Sequence, residues 1–217
     1  MNAMSREHAF VITRVVAVES RARQSTGQPE TIPMQLILDH IGILTPSIER
    51  SAGHFPPGFT LHDPELMPSE GTREQYATLD SKRGPSVLLL EAVQPGPYQR
   101  ALEKRGPGLH HLGLATDSLE LATAQLHSLG LLLHPDSLKT HAHGCVWLCR
   151  PGVPFLVELY KPKELSAADY APVRIDLPTG QPHSEPLPQL LPGLKIQVHD
   201  SEDLTLTVDG QTFPVPT

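Results

Sequence analysis

The chain has 217 residues, 39% hydrophobic and 19% charged, which suits one or two folded domains and excludes a disordered polymer. A net charge of −7 argues against nucleic-acid or anionic-membrane binding. No apolar run nears the ~20 residues that span a bilayer.

Residues 1–33 differ from the rest. Ala9 to Val18 reads as a strand broken by Arg14, which rules out the apolar core of a secretory signal, and a polar run follows. The segment reads either as a mobile N-terminal arm or as an artefact of start assignment ahead of Met34. A first module is expected over 35–95. Leu36–Leu44 is a strand, and Ser47 caps a short helix from Ile48 to Gly53 that Pro56-Pro57-Gly58 stops. Strands follow near Phe59–His62, Glu74–Leu79 and Ser86–Ala92. Pro97 to Lys104 suggests a linking helix.

The second module, 108–162, repeats the pattern. A strand covers His110–Ala115, and Asp117 is the expected N-cap of a helix from Ser118 to Gly130. Strands near Leu131–Leu133, Gly144–Cys149 and Pro154–Tyr160 complete it. One helix between the first two strands, followed by a meander, gives β-α-β-β-β twice, which is an α+β pattern and not a doubly wound one. Residues 163–217 hold eight prolines and eight acids against three basic residues, and Val208-Asp209-Gly210-Gln211 is a hairpin signal. They are expected to form a small, acidic, proline-rich β appendage on a main domain of 34–162. The two cysteines, Cys145 and Cys149, lie four apart on one strand, about 13 Å, too far for a disulfide, which suits a reduced cytoplasmic protein.

One motif is written twice. Leu38-Asp39-His40-Ile41-Gly42-Ile43 reappears as His110-His111-Leu112-Gly113-Leu114, and each copy is followed by a later strand with an embedded glutamate, Glu91 or Glu158. Fifty-one residues separate His40 from Glu91, and 47 separate His111 from Glu158. A lone strand His or Glu is ordinarily structural. Four at matched positions of a duplicated unit imply a pseudo-two-fold axis that gathers them, and a carboxylate buried without a partner is costly. Two imidazoles and two carboxylates suit Zn²⁺, Co²⁺, Ni²⁺, Mn²⁺ or Fe²⁺.

These residues resemble the vicinal oxygen chelate superfamily, which pairs two βαβββ modules around a divalent metal, and within it methylmalonyl-CoA epimerase and its glyoxalase-like relatives. The likeness covers about 35–162. It is carried by Leu38-Asp39-His40-Ile41-Gly42, Lys104-Arg105-Gly106-Pro107-Gly108-Leu109-His110-His111, Ala142-His143-Gly144 and Leu156-Val157-Glu158-Leu159. The resemblance implies a curved mixed sheet around a metal-binding cleft, with His40, Glu91, His111 and Glu158 as ligands. It also implies proton transfer next to a carbonyl, as an epimerase or a glyoxalase-type lyase. The substrate would be a small molecule, an acyl-CoA or 2-oxo compound, and the protein a cytoplasmic homodimer. Glu74 is the expected base, with Glu158 able to serve if it leaves the metal, and His143 is expected to reach the substrate. His110 should face away from His111 by strand alternation, and Trp147 and Phe155 read as core. The tail beyond residue 162 and the short first helix depart from the epimerase pattern. No basic cluster for a CoA phosphate is evident; Lys82-Arg83 and Lys104-Arg105 are the nearest pairs. The rival functions are an Fe²⁺ ring-cleaving dioxygenase, which would use two His and one carboxylate, and a metal-free small-molecule-binding or resistance protein on the same fold.

Overall fold

The computed structural model describes residues 34–80, 84–165, 172–178, 190–199, 203–208 and 210–215. The expected N-terminal arm, the Lys82-Arg83 pair and Asp209 of the hairpin signal lie outside them. The first module runs β1 (Leu36–Leu44), α1 (Ile48–Ala52), β2 (Phe59–Leu61), β3 (Glu65–Met67), β4 (Thr72–Leu79) and β5 (Ser86–Ala92). A helix, α2 (Pro97–Arg105), links it to the second. There follow β6 (Gly108–Thr116), α3 (Leu119–Ser128), β7 (Leu132–Leu133), α4 (Ser137–Thr140), a single 3-10 turn (His141–His143), β8 (Cys145–Cys149) and β9 (Leu156–Tyr160).

Among the described residues these strands form one curved, unclosed mixed sheet, in the order β2-β4-β5-β1-β6-β9-β8-β7, with β3 added beside β4. The order explains the repeat. Each module pairs its first strand in parallel with its last, β1 with β5 and β6 with β9. The two first strands, β1 and β6, run antiparallel at the centre. A pseudo-two-fold axis therefore passes between the strands that carry the duplicated motif. Both are covered on both faces, as central strands are; every residue of β6 is buried.

The helices are short and end where their caps dictate. Ser47 Oγ accepts from Arg50 N at the start of α1, as expected from sequence. α3 starts one residue later than expected. Ser118, not Asp117, is its cap, accepting from Leu121 N. Asp117 instead accepts from Gln35 N at 3.1 Å, tying the start of β1 to the end of β6. β3, α4 and the 3-10 turn are too short to leave a periodic signal.

A second sheet, β11-β10-β12-β13, is built from β10 (Val173–Pro178), β11 (Leu194–His199), β12 (Thr205–Val208) and β13 (Gln211–Pro214). β12 and β13 pair as the hairpin predicts, with Gly210 at a φ of 78° that a side chain would strain. Its buried Ile175 and Leu206 join the same core as Ile43, Leu89 and Leu112 of the main sheet. The Phe59 and Phe213 rings meet edge to face with centroids 5.2 Å apart.

Candidate metal centre

The antiparallel register sets His40 opposite Gly113 and Gly42 opposite His111. A Cβ at Gly113 would overlap the His40 ring, and one at Gly42 would overlap the His111 ring. The His-x-Gly motif is thus a reciprocal cradle, in which each imidazole lies over the glycine of the other copy. Both rings are buried, and their Nε2 atoms end 3.0 Å apart. Glu158, on β9 beside β6, brings Oε2 to 3.4 Å from His40 Nε2 and 3.6 Å from His111 Nε2. Donors about 2.1 Å from a common ion lie about 3.0 Å apart when its bonds are perpendicular and about 3.4 Å apart when they are tetrahedral. The three atoms fit that triangle and form a set able to hold a cation.

Glu91 does not join them. Its Oε2 accepts from Ile48 N at 3.0 Å and from Arg73 Nη2 at 2.6 Å, and Arg73 also pairs with Glu49. The parallel registers explain why. Gly113 faces Glu158 on β9, whereas Gly42 faces Leu88 on β5. Leu88 lies 48 residues after His40, close to the 47 between His111 and Glu158, and is the true counterpart of Glu158. Glu91, an odd number of residues further on, points to the other face of β5 and braces α1. Glu91→Gln should therefore leave metal content unchanged while lowering the melting temperature, because Arg73 loses a charged partner. A metal-depleted Glu91→Gln protein, measured by elemental analysis, would return Glu91 to the site.

Alternation predicts His110 on the far face from His111, yet His110 touches the histidine that follows it, as Asp39 does. The β1–β6 register shifts between Leu38 and His40 and between Gly42 and Ile43, so Asp39 and His110 are the extra residues of two symmetric bulges. Asp39 Oδ2 accepts from His40 Nδ1 at 2.9 Å. His110 Nδ1 lies 3.0 Å from His111 Nδ1. Each imidazole thus has its second nitrogen engaged, leaving Nε2 toward the centre.

The charges are unequal across the axis. Burial works against a proton on His40, but the Asp39 and Glu158 carboxylates outweigh it and raise its pKa to about 9. Burial, helped by Arg105, drives His110 down to about 3, and burial holds His111 well below the ordinary histidine value. Burial raises Glu158, but His40, His111 and the Cys145 thiol, which donates to Oε1 at 3.3 Å, bring it below the usual carboxylate range. The balance of charge in the cluster therefore favours a proton on His40 over one on His111.

A cavity of about 540 Å³ opens over the three donors. Glu74 lines it from β4, whereas Gln75 turns away and donates to the His62 carbonyl. Thr72 Oγ1 donates to Glu74 Oε1 at 2.7 Å, but burial, reinforced by Glu70 and Glu158, leaves the Glu74 pKa raised. His143 lines the same cavity from the 3-10 turn. Leu88 and Leu90 make the β5 wall apolar. Trp147 is a wall and not core: it lines the cavity with its ring edge-to-face on His111, centroids 5.2 Å apart. Phe155 is core, as expected.

The family described as Glyoxalase/Bleomycin resistance protein/Dioxygenase superfamily matches residues 39–148, just over half of the chain. A search of curated proteins finds no match. Among solved structures, a hypothetical protein from Bacillus halodurans C-125 is similar at 26% identity, covering 60% of this chain and 97% of its own, with a TM-score of 0.49. Methylmalonyl-CoA epimerase from Mycobacterium tuberculosis is similar at 22% identity, with coverages of 58% and 88% and a TM-score of 0.46. A variant Streptomyces coelicolor methylmalonyl-CoA epimerase in complex with 2-nitronate-propionyl-CoA stands at 21%, 60%, 97% and 0.45 in the same order. By the match over 39–148, which contains the whole β1–β6 cradle, the chain belongs to the glyoxalase/bleomycin resistance protein/dioxygenase superfamily, the vicinal oxygen chelate group its motifs resemble.

Proposed function

We propose that the protein is a metal-dependent enzyme that moves a proton next to a carbonyl, as an epimerase or a glyoxalase-type lyase. The observation that carries this is the placement of the Glu74 carboxyl on the wall of the cavity where His40, His111 and Glu158 converge. A divalent cation held by those three would supply positive charge to an oxygen on which negative charge develops. His40 and His111 would hold it, each fixed by its cradle glycine and by a partner on Nδ1.

Glu74 is the base. Its raised pKa brings it toward neutral pH, where a carboxyl both takes and returns a proton effectively. The Thr72 hydroxyl holds its carboxyl in one orientation. The sheet order puts β4 and β8 on opposite sides of the β1–β6 pair, so Glu74 and His143 approach the cavity from opposite sides. Glu74 removes the proton from one side, and His143 reaches the substrate from the other. Leu88, standing where the repeat would place a fourth carboxylate, gives that side of the cavity a hydrocarbon wall.

We place with this activity a small-molecule substrate, an acyl-CoA or 2-oxo compound, in a cytoplasmic homodimer. Among the described residues no helix is long and apolar enough to cross a membrane. The test is exchange of deuterium from heavy water into a panel of acyl-CoAs and 2-oxo compounds by metal-loaded protein. Glu74→Gln should slow that exchange about 100-fold or more at unchanged metal content. Unchanged exchange removes Glu74 from the mechanism, and no exchange on any compound ends the proposal. A second reading is favoured by the three-donor set: two His and one carboxylate is also the ligand set of Fe²⁺ oxygenases. Oxygen uptake by the Fe²⁺-loaded protein with catechols, in the absence of proton exchange, would decide for it.

A further inference from the structure

The pseudo-two-fold axis relates more than the two histidines. Gly42 faces Leu88 on β5 as Gly113 faces Glu158 on β9, and two residues further along those strands stand Leu90 and Tyr160. The next strand of each module carries the correspondence outward. On β4, Tyr76 pairs with Leu88 and Glu74 with Leu90. On β8, Trp147 pairs with Glu158 and Cys145 with Tyr160. Tyr76 therefore corresponds to Trp147, and Glu74 to Cys145. All of these side chains line the cavity of about 540 Å³, as alternate residues of a strand on one face must.

The correspondence puts a thiol in one half where the other half has its proposed base. Glu74 and Cys145 stand on β4 and β8, on opposite sides of the β1–β6 pair. The start of β8 is tied down: Thr140 Oγ1 donates to the Cys145 carbonyl at 3.0 Å, and Lys161 N donates to the Gly144 carbonyl at 3.3 Å. The thiol itself is aimed inward. It donates to Glu158 Oε1 at 3.3 Å, whereas Oε2 is the oxygen that approaches the two imidazoles.

We propose that Cys145 is a second proton carrier of this site, acting on the face of the substrate carbon opposite Glu74, so that the reaction is an epimerisation. This deepens the proton-transfer reading and rests on it. Glu74 takes the proton of a C–H bond, and the bonding pair stays on carbon. The Cys145 S–H bond then breaks, its proton forms the new C–H bond on the other face, and the electron pair of the S–H bond stays on sulfur. Solvent entering the cavity returns a proton to sulfur and takes one from Glu74, which restores both groups. In the reverse direction the thiolate is the base and the Glu74 carboxyl the acid. Cysteine is among the side chains that carry protons in this way.

The experiment follows each enantiomer of methylmalonyl-CoA and of 2-methylbutanoyl-CoA in heavy water, with the full-length, metal-loaded wild type, C145A, C145S and C149S. Deuterium uptake and interconversion of the enantiomers are measured separately. The wild type should do both. C145A and C145S should interconvert the enantiomers about 100-fold or more slowly. Both should still exchange, with retention, the enantiomer whose proton faces Glu74. Serine also donates to Glu158 but gives up a proton poorly, so C145S should keep wild-type metal content by elemental analysis. It decides the matter by itself if circular dichroism finds C145A unfolded. C149S, on the same strand but outside the cavity lining, should match the wild type. Interconversion at the wild-type rate in C145S overturns the proposal and leaves residue 145 as a brace for Glu158. Equal loss of exchange and interconversion in C145S overturns it as well, as does a wild type that exchanges without interconverting. No exchange by the wild type ends the proton-transfer reading itself.

Discussion

Glu158→Ala is expected to strip the metal from the purified protein while its far-UV dichroism stays unchanged. Glu158 is the only carboxylate among the three convergent donors, and its loss leaves two imidazoles with no negative charge at the centre. Replacing a group that merely orients a ligand costs about 10- to 100-fold in metal affinity, so loss of a ligand should exceed about 100-fold. The fold should survive, because Glu158 lies in a cavity wall and its backbone pairing to Gly113 and Trp147 does not depend on its side chain. Competition with a metallochromic chelator measures the affinity. Full retention of metal would refute the three-donor centre, and unfolding at ordinary temperature would make Glu158 a structural residue.

Gly113→Ala should have nearly as large an effect through a residue that contacts no metal. Its methyl would occupy the space of the His40 imidazole. Because His40 is held from the other side by Asp39, the ring cannot swing away without giving up that hydrogen bond. Metal affinity should fall about 10- to 100-fold, and the overpacked strand pair should lose about 1–3 kcal/mol of stability. A double variant separates the two effects. His40→Ala in the Gly113→Ala background removes the clash, so stability should recover while metal binding does not. Thermal unfolding and metal content, measured together on the three proteins, check this. A Gly113→Ala protein with wild-type metal affinity would show that the glycine does not position the ring.

The duplicated halves are alike in backbone and unlike in chemistry. Each copy supplies a histidine, a bulge residue on its Nδ1 and a glycine under the other copy's ring. One copy then adds Asp39 and Leu88 where the other adds His110 and Glu158. The anionic ligand and the open, apolar side of the centre therefore fall on opposite sides of the axis. Leu88 and Leu90 line the cavity beside Glu74 of the neighbouring β4.

How much of this was legible in the chain depends on which distances are local. The paired modules, the central strands and the convergence of His40, His111 and Glu158 followed from the sequence alone. A duplicated motif demands a symmetric arrangement, and alternating apolar runs demand strands. Glu91 could not be placed that way. It and Leu88 lie three residues apart in one apolar run, and only the parallel register of β1 on β5, set by the connecting loops and core packing, decides which faces Gly42. Asp39, His110 and Trp147 were misjudged or missed for a related reason. A bulge reverses alternation without changing composition, and a half-buried indole reads the same whether it fills a core or walls a cavity. Local pattern thus determined which elements form and which residue types carry the chemistry. Long-range register, which costs one residue of slip to invert every side chain on a strand, decided which of them meet.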